Sequence, residues 1–424
     1  MKPATLPIDV TDGTRDDPYL RWLTRTSGLG VAFFTLLQFL PQALTANDFP
    51  PPHLVFGFAV SIGVFITCGM LASREMRGST FSPLSQFTGS LVWILAIWVL
   101  AQTVLHPGWG ELLRALAFAS LLLSANSLGR YLSVNGRYRL FMAGLGPFFA
   151  FGYLAGLSIA VFNPGSIWWG HGLFGDSHAR SWFFWLLTPQ PLFAAAAFYW
   201  ARSKATSAKV AKFYTLCIVG LIVLILLTRT RTYVITVLGF VILIFAGKSI
   251  TRMLLMITAA ILAILATPGA LSEFAALTRL SSFTTGIDPV SGSSDVTNAR
   301  GELSSRLFDL FSQSPATGVG ASTVRNSVAD LAASSEAGIL LSLASYGVLS
   351  LLLLAVAALA LFRSLSQIAA GSDHHALHSL VIIIAPFSTI LFFGSATGYS
   401  DWLGLCLIIT GINVASAKAS EAGE

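Results

Sequence analysis

Residues 213–247 read FYTLCIVGLIVLILLTRTRTYVITVLGFVILIFAG. Two apolar runs, 213–228 and 233–247, enclose two arginines, Arg229 and Arg231, and Lys212 and Lys248 stand at the far ends. Backbone inside a lipid bilayer must satisfy its own hydrogen bonds, so apolar runs of this kind are expected to be helices. A crossing takes about 20 mostly apolar residues. The stretch therefore reads as a hairpin of membrane helices, with arginine at its turn and lysine at its feet.

The rest of the chain repeats this pattern. It has 424 residues, of which 54% are apolar and only 10% charged, with a mean hydropathy of +0.74. Soluble domains carry about 25% charged residues, so the composition is that of an integral membrane protein. About twelve candidate spans lie near 27–45, 53–72, 83–105, 111–129, 140–162, 182–201, 213–228, 233–247, 253–268, 337–362, 378–394 and 401–417. The expected fold class is all-α, a polytopic membrane protein with a large extracytoplasmic loop between its ninth and tenth spans.

The loops differ in their cations. All six lysines, Lys2, Lys204, Lys209, Lys212, Lys248 and Lys418, fall on one side of these spans. The short loops around Arg74–Arg77, Arg130–Arg139, Arg202–Lys212, Lys248–Arg252 and Arg363, with both termini, hold 17 of the 25 lysines and arginines. Arg114 lies within the fourth span, and the other side has seven arginines: Arg180, Arg229, Arg231, Arg279, Arg300, Arg306 and Arg325. The positive-inside rule puts the lysine side in the cytoplasm, and an even number of spans puts both termini there. The net charge of +6 thus reflects topology, not nucleic-acid binding. Residues 1–26 are polar and no small-residue cleavage site follows the first apolar run, which reads as an uncleaved signal anchor. Cys68, Cys217 and Cys406 lie inside apolar runs and read as small hydrophobes, without disulfides.

Two outer loops are long. One runs from Asn163 to Ser181, and the other from about Pro268 to Glu336. A loop of the second length is usually functional or disordered. Its stretch 284–297 has a loop composition. A short amphipathic helix is expected over 299–312, with Asn298 as its N-cap and Leu303, Leu307, Leu310 and Phe311 on one face. Outside the membrane, such a helix lies along the interface or roofs a cavity. Pro315 closes it, and Gly318-Val-Gly320 supplies a tight turn. Residues 268–336 form the cap between transmembrane blocks 27–267 and 337–417, flanked by tails 1–26 and 418–424.

Three outer places carry chemistry. Arg229 and Arg231 either snorkel to headgroups or stand at a cavity mouth holding a lipid pyrophosphate. Arginine's planar fork grips phosphate at two points, which lysine's point charge cannot copy. Glu302 precedes Arg306 by four residues and pairs with it, whereas Arg300 has Val296 and Ser304 at those distances and is left for a ligand. Ser335 and Glu336 mark the entry to the tenth span. Glu336 is placed either to activate an acceptor hydroxyl as a general base or to pair with an arginine. His171 and His178 are further outer titratable groups, and Arg279 opens the cap. His374, His375 and His378 have the spacing of a weak metal site but read as a solvated cytoplasmic loop. The sequence has no phosphate-binding GxxxxGK[ST], no HExxH and no outer Asp-x-Asp. Span interiors nearly free of acids and bases count against an ion-coupled transporter.

In order and spacing, these motifs resemble the O-antigen ligase and polymerase superfamily, which includes Wzy-type and exopolysaccharide polymerases. The likeness covers about residues 220–360. It is carried by Thr230-Arg-Thr232, by Arg300 followed by Pro315 and Gly318-Val-Gly320, and by Ser335-Glu-Ala-Gly-Ile-Leu-Leu-Ser-Leu-Ala-Ser-Tyr-Gly347. The resemblance implies a GT-C-like, metal-independent glycosyltransferase of the cell inner membrane, without cofactor. Its donor and acceptor would be glycans on undecaprenyl pyrophosphate, and its partners a chain-length regulator and a flippase. By motif match, Arg231, Arg300 and Glu336 would be catalytic, with Arg229, Arg279, Ser335 and His171 binding substrate. Ser335-Glu336 replaces the histidine usual in ligases, and Phe308 replaces a larger aromatic. The first departure favours a polymerase of repeat units over a ligase. A flippase or exporter of the same glycan is the rival from another class, and a structural subunit of an assembly complex is a third reading.

Overall fold

A computed structural model describes residues 17–37, 63, 66–67, 69–76, 83–133, 137–162, 190–227, 237, 239–244, 251, 255, 258, 295–328, 338–371 and 377–383. About 90% of the described residues are helical, and no strand occurs among them. The principal helices are α1 (Pro18–Leu37), α2 (Pro83–Leu105), α3 (Trp109–Ser133), α4 (Arg137–Phe162), α5 (Gln190–Ser203), α6 (Ala208–Leu227), α7 (Asp295–Gln313), α8 (Ala321–Ser327), α9 (Gly338–Tyr346) and α10 (Leu351–Ala369). A 3₁₀ turn, Val348–Ser350, leads into α10.

Two helical segments among the described residues, Pro83–Leu105 and Val348–Ala369, are long and apolar enough to cross a membrane. At 1.5 Å per residue, α2 is about 33 Å long, close to the hydrocarbon thickness of a bilayer. The helices α2 to α6 fall where the third to seventh expected spans lie, although 182–189 of the sixth lie outside the described residues. The ninth, eleventh and twelfth expected spans lie largely or wholly outside them, as do parts of the first, second and eighth.

Close contact between small residues holds the helices together. A Cβ on Gly144 of α4 would collide with the Thr24 methyl of α1, and one on Gly146 would meet Ala201 of α5 at 2.7 Å. Lipid chains are as apolar as leucine, so intimate backbone approach is the main source of attraction between membrane helices. Phe149, Phe193, Phe198 and Leu122 fill the centre of the bundle and are fully buried.

The helix ends sort by charge. Arg130, near the end of α3, donates from Nη2 to the Ser85 carbonyl oxygen of α2 at 2.7 Å. Asp17 caps α1: its Oδ1 accepts from the backbone N–H groups of Tyr19 (3.0 Å) and Leu20 (3.1 Å). Its Oδ2 accepts from the Tyr131 hydroxyl at 2.8 Å and pairs with Arg137 Nε at 3.2 Å. The Arg137 guanidinium also lies 4.4 Å from the centre of the Tyr131 ring. Tyr138 meets Trp200 edge-on at 5.4 Å. The helix ends that border the basic loops thus gather at one end of the bundle.

Two expectations for the cap are corrected. The tenth span, expected as a single run over 337–362, is broken at Gly347, where φ is 70°. The chain ends α9 there and restarts through the 3₁₀ turn. The amphipathic helix begins at Asp295, not at 299, so Asn298 lies inside its first turn and does not cap it. The end of the expected loop 284–297 is therefore helical.

Candidate functional site

The cap is built on α7. Leu303 and Leu307 point inward and are fully buried against Val324 and Val328 of the α8 segment and Leu341 and Ala344 of α9. Burial of each leucine contributes about 1.5–3 kcal/mol. The apolar face of α7 is therefore spent on a small core of the cap itself, whereas an interfacial helix would offer it to lipid. Phe308 projects from the other side and is 58% exposed.

On the polar side, Arg306 Nη2 pairs with Glu302 Oε1 at 2.6 Å, and Arg306 Nη1 donates to the Ser327 carbonyl oxygen at 3.3 Å. The expected i, i+4 partnership is present, and Arg306 also ties α7 to α8.

The two glycine-bearing motifs interlock. The Val319 and Gly320 N–H groups donate to the carbonyl oxygens of Ala344 (2.8 Å) and Ser345 (3.2 Å), and the Val348 N–H donates to Pro315 O at 3.0 Å. Gly318, with φ 73°, lies so close to the Ser345 carbonyl that a Cβ would sit 2.5 Å from it. Gly347, with φ 70°, abuts the Ala316 carbonyl in the same way from the other strand of chain. Positive φ and the missing Cβ are both needed here, which explains why glycine stands at each position. The turn itself is closed by the Gly318 N–H on Ser314 O at 2.7 Å and by the Ser314–Thr317 hydroxyl pair at 2.9 Å.

This knot sits on the end of α2 remote from Arg130. Trp98 Nε1 donates to Tyr346 O at 2.8 Å. Two turns further on, the His106 ring lies against Gly320, where a Cβ would come within 2.8 Å of its Cγ. Gln102 lies between them on the same ridge. It is 4% exposed, and neither amide atom has a hydrogen-bond partner among the described residues. His106 Nε2 is likewise buried and unpartnered among them. An unsatisfied buried polar group costs about 1–3 kcal/mol.

Of the expected site residues, Arg300 is placed in the second turn of α7, with its side chain outside the described residues. Arg229, Arg231, Arg279, Ser335, Glu336 and His171 lie outside them altogether, as does His178. The contact of α7 with α9 brings the helix carrying Arg300 onto the segment that directly follows Ser335-Glu336. The reading of His378 as part of a solvated loop is corrected: the ring is buried, with Nδ1 3.2 Å from Ser364 Oγ. His374 and His375 lie outside the described residues. Among the described residues no group of three His, Cys, Asp or Glu is placed to hold a metal ion.

Sequence reasoning passed over Trp98 and Gln102, and took His106 only as an outer-side histidine near a short turn. The available signal was their spacing of four, with an amide directly after the apolar run 91–101.

No protein-family model matches this chain, and a search of curated proteins finds no match either.

Proposed function

We propose that the chain polymerises oligosaccharide repeats carried on undecaprenyl pyrophosphate, at the outer face of the cytoplasmic membrane. The observation that carries this reading is the interlock of the Pro315–Gly320 turn with the Ser345–Val348 break, at the end of α2 away from the basic loops. Motifs that are separate in sequence belong to one rigid knot. That knot joins the helix bearing Arg300 to the helix that follows Ser335-Glu336. An enzyme working on a lipid-anchored donor needs such a fixed platform beside the membrane, because positioning is a large part of its catalysis.

In this account Arg231 and Arg300 grip the pyrophosphate, with Arg229 and Arg279 at its margin, and stabilise the charge that grows as it leaves. The acceptor hydroxyl attacks the anomeric carbon. The carbon–oxygen bond to pyrophosphate breaks, and its electron pair leaves with the phosphate. Glu336 takes the hydroxyl proton, with Ser335 and His171 lining the acceptor side. The lysine–arginine split is the sequence counterpart: phosphate-gripping cations face one way and orienting cations the other.

The test is chain lengthening in cells carrying Arg300→Ala or Arg231→Ala, with insertion checked by membrane fractionation. Both variants insert and lengthen nothing. Lengthening at the wild-type level in both variants refutes the assignment. Arg300→Lys also fails, because a point charge does not replace the two-point grip.

A further inference from the structure

The interior-facing stripe of α2 changes character along its length. It is polar at the basic end, where Ser85 and Thr88 are buried, apolar through Val92, Leu95, Ala96 and Val99, and polar again at Gln102, with His106 one turn further on. Trp98, Gln102 and His106 are four apart. The helical hydrogen bond from His106 N to Gln102 O, 2.8 Å, carries the helix geometry to the last of them. The three therefore form one i, i+4 ridge. The ridge is fixed to the cap at both ends, by the Trp98–Tyr346 hydrogen bond and by the His106–Gly320 contact. Gln102 lies between those two anchors on the ridge.

A glutamine amide offers donors and an acceptor together. Gln102 is more than nine-tenths buried, and both its amide oxygen and its amide nitrogen are unpartnered among the described residues. One turn away His106 Nε2 is in the same condition. A carboxylate or phosphate would satisfy only the donor half of that pair, and an ammonium only the acceptor half. A hydroxyl donates and accepts at once. We infer that Gln102 and His106 form a subsite for an uncharged, hydroxyl-rich group, the acceptor sugar, between α2 and the cap. The inference rests on the polymerase reading for the name of its ligand. The pyrophosphate is left to the arginines, and this subsite holds the acceptor glycan.

The experiment measures binding without turnover. Purified full-length protein is titrated with free oligosaccharide, released by mild acid from the lipid-linked repeats of a strain lacking this chain. The variants are Gln102→Leu, His106→Ala and the conservative Gln102→Asn. Wild type is expected to bind. Gln102→Leu and His106→Ala weaken binding tenfold or more, and Gln102→Asn falls between. Gln102→Leu keeps or raises the thermal midpoint, because an amide held ready for a ligand does not contribute to the fold. Binding of inorganic pyrophosphate is unchanged in all three. Wild-type affinity for the oligosaccharide in both severe variants overturns the inference. So does a fall in thermal midpoint with affinity unchanged, since that marks an amide serving the fold through an internal partner or water. Lack of oligosaccharide binding by the wild type overturns it as well. Failure of the polymerase reading registers elsewhere, as glycans that still lengthen in the deletion strain.

Discussion

Trp98 Nε1 donates to the carbonyl oxygen of Tyr346 at 2.8 Å, joining residues 248 apart in sequence. It pins the cap to α2, one of the two helical segments among the described residues that are long and apolar enough to cross a membrane. Trp98→Phe keeps most of the ring volume and leaves the carbonyl without its donor. The expected loss is about 1–3 kcal/mol. Limited proteolysis checks this, with faster cleavage of the cap than in wild type.

The glycine knot predicts an asymmetry between glycines. Gly347→Ala combines positive φ, a cost of about 1–2 kcal/mol, with a Cβ set against the Ala316 carbonyl. Gly220→Ala in α6 meets nothing within 4 Å and is expected to gain about 0.5–1 kcal/mol from helix propensity. Thermal unfolding of the two purified variants should move in opposite directions.

The small core of the cap predicts a second contrast. Leu307→Ala removes a fully buried side chain and is expected to cost about 2–5 kcal/mol. Glu302→Gln breaks an ion pair whose members are 53% and 38% exposed, and such pairs contribute about 0–1 kcal/mol. Denaturant titration followed by Trp fluorescence separates the two. A large effect of Glu302→Gln would show that the pair also holds Arg306 on the Ser327 carbonyl and so ties α7 to α8.

At the basic end, Asp17 gives a pH dependence. Burial raises its pKa, but the Leu20 N–H, the Tyr131 hydroxyl, Arg137 and the Tyr19 N–H outweigh it and hold the carboxyl below the usual range. A folded pKa below the unfolded one means stability that is complete above the ordinary carboxylate pKa. That stability is lost as the pH falls through the folded value. Asp17→Asn keeps a good N-cap and removes the charge. Its thermal midpoint should therefore fall less than that of wild type between neutral pH and about pH 3.

Much of this was legible in the sequence and some was not. Apolar run length located α2 to α6, because helix is the structure that satisfies its own backbone in lipid. Local spacing gave the Glu302–Arg306 pair, and glycine chemistry gave the turn at Gly318 and Gly320. Asp17-Pro18, an N-cap followed by proline in the first helical position, marks the start of α1 inside the stretch 1–26 that reads as a polar tail. The break at Gly347 was not legible, since a glycine inside an apolar run looks the same in a straight span as in a left-handed turn. The Trp98–Gln102–His106 ridge acquires meaning only from the cap residues packed on it, which lie more than 200 positions away. The arginine assignments rest on motif and sidedness alone.

The proposed joining of repeat units is tested by the analysis of lipid-linked glycans in a strain lacking this chain. Polymerase activity predicts that single repeats accumulate on the lipid pyrophosphate. Full-length chains on the lipid would contradict the claim and identify transfer of finished glycan as the missing step.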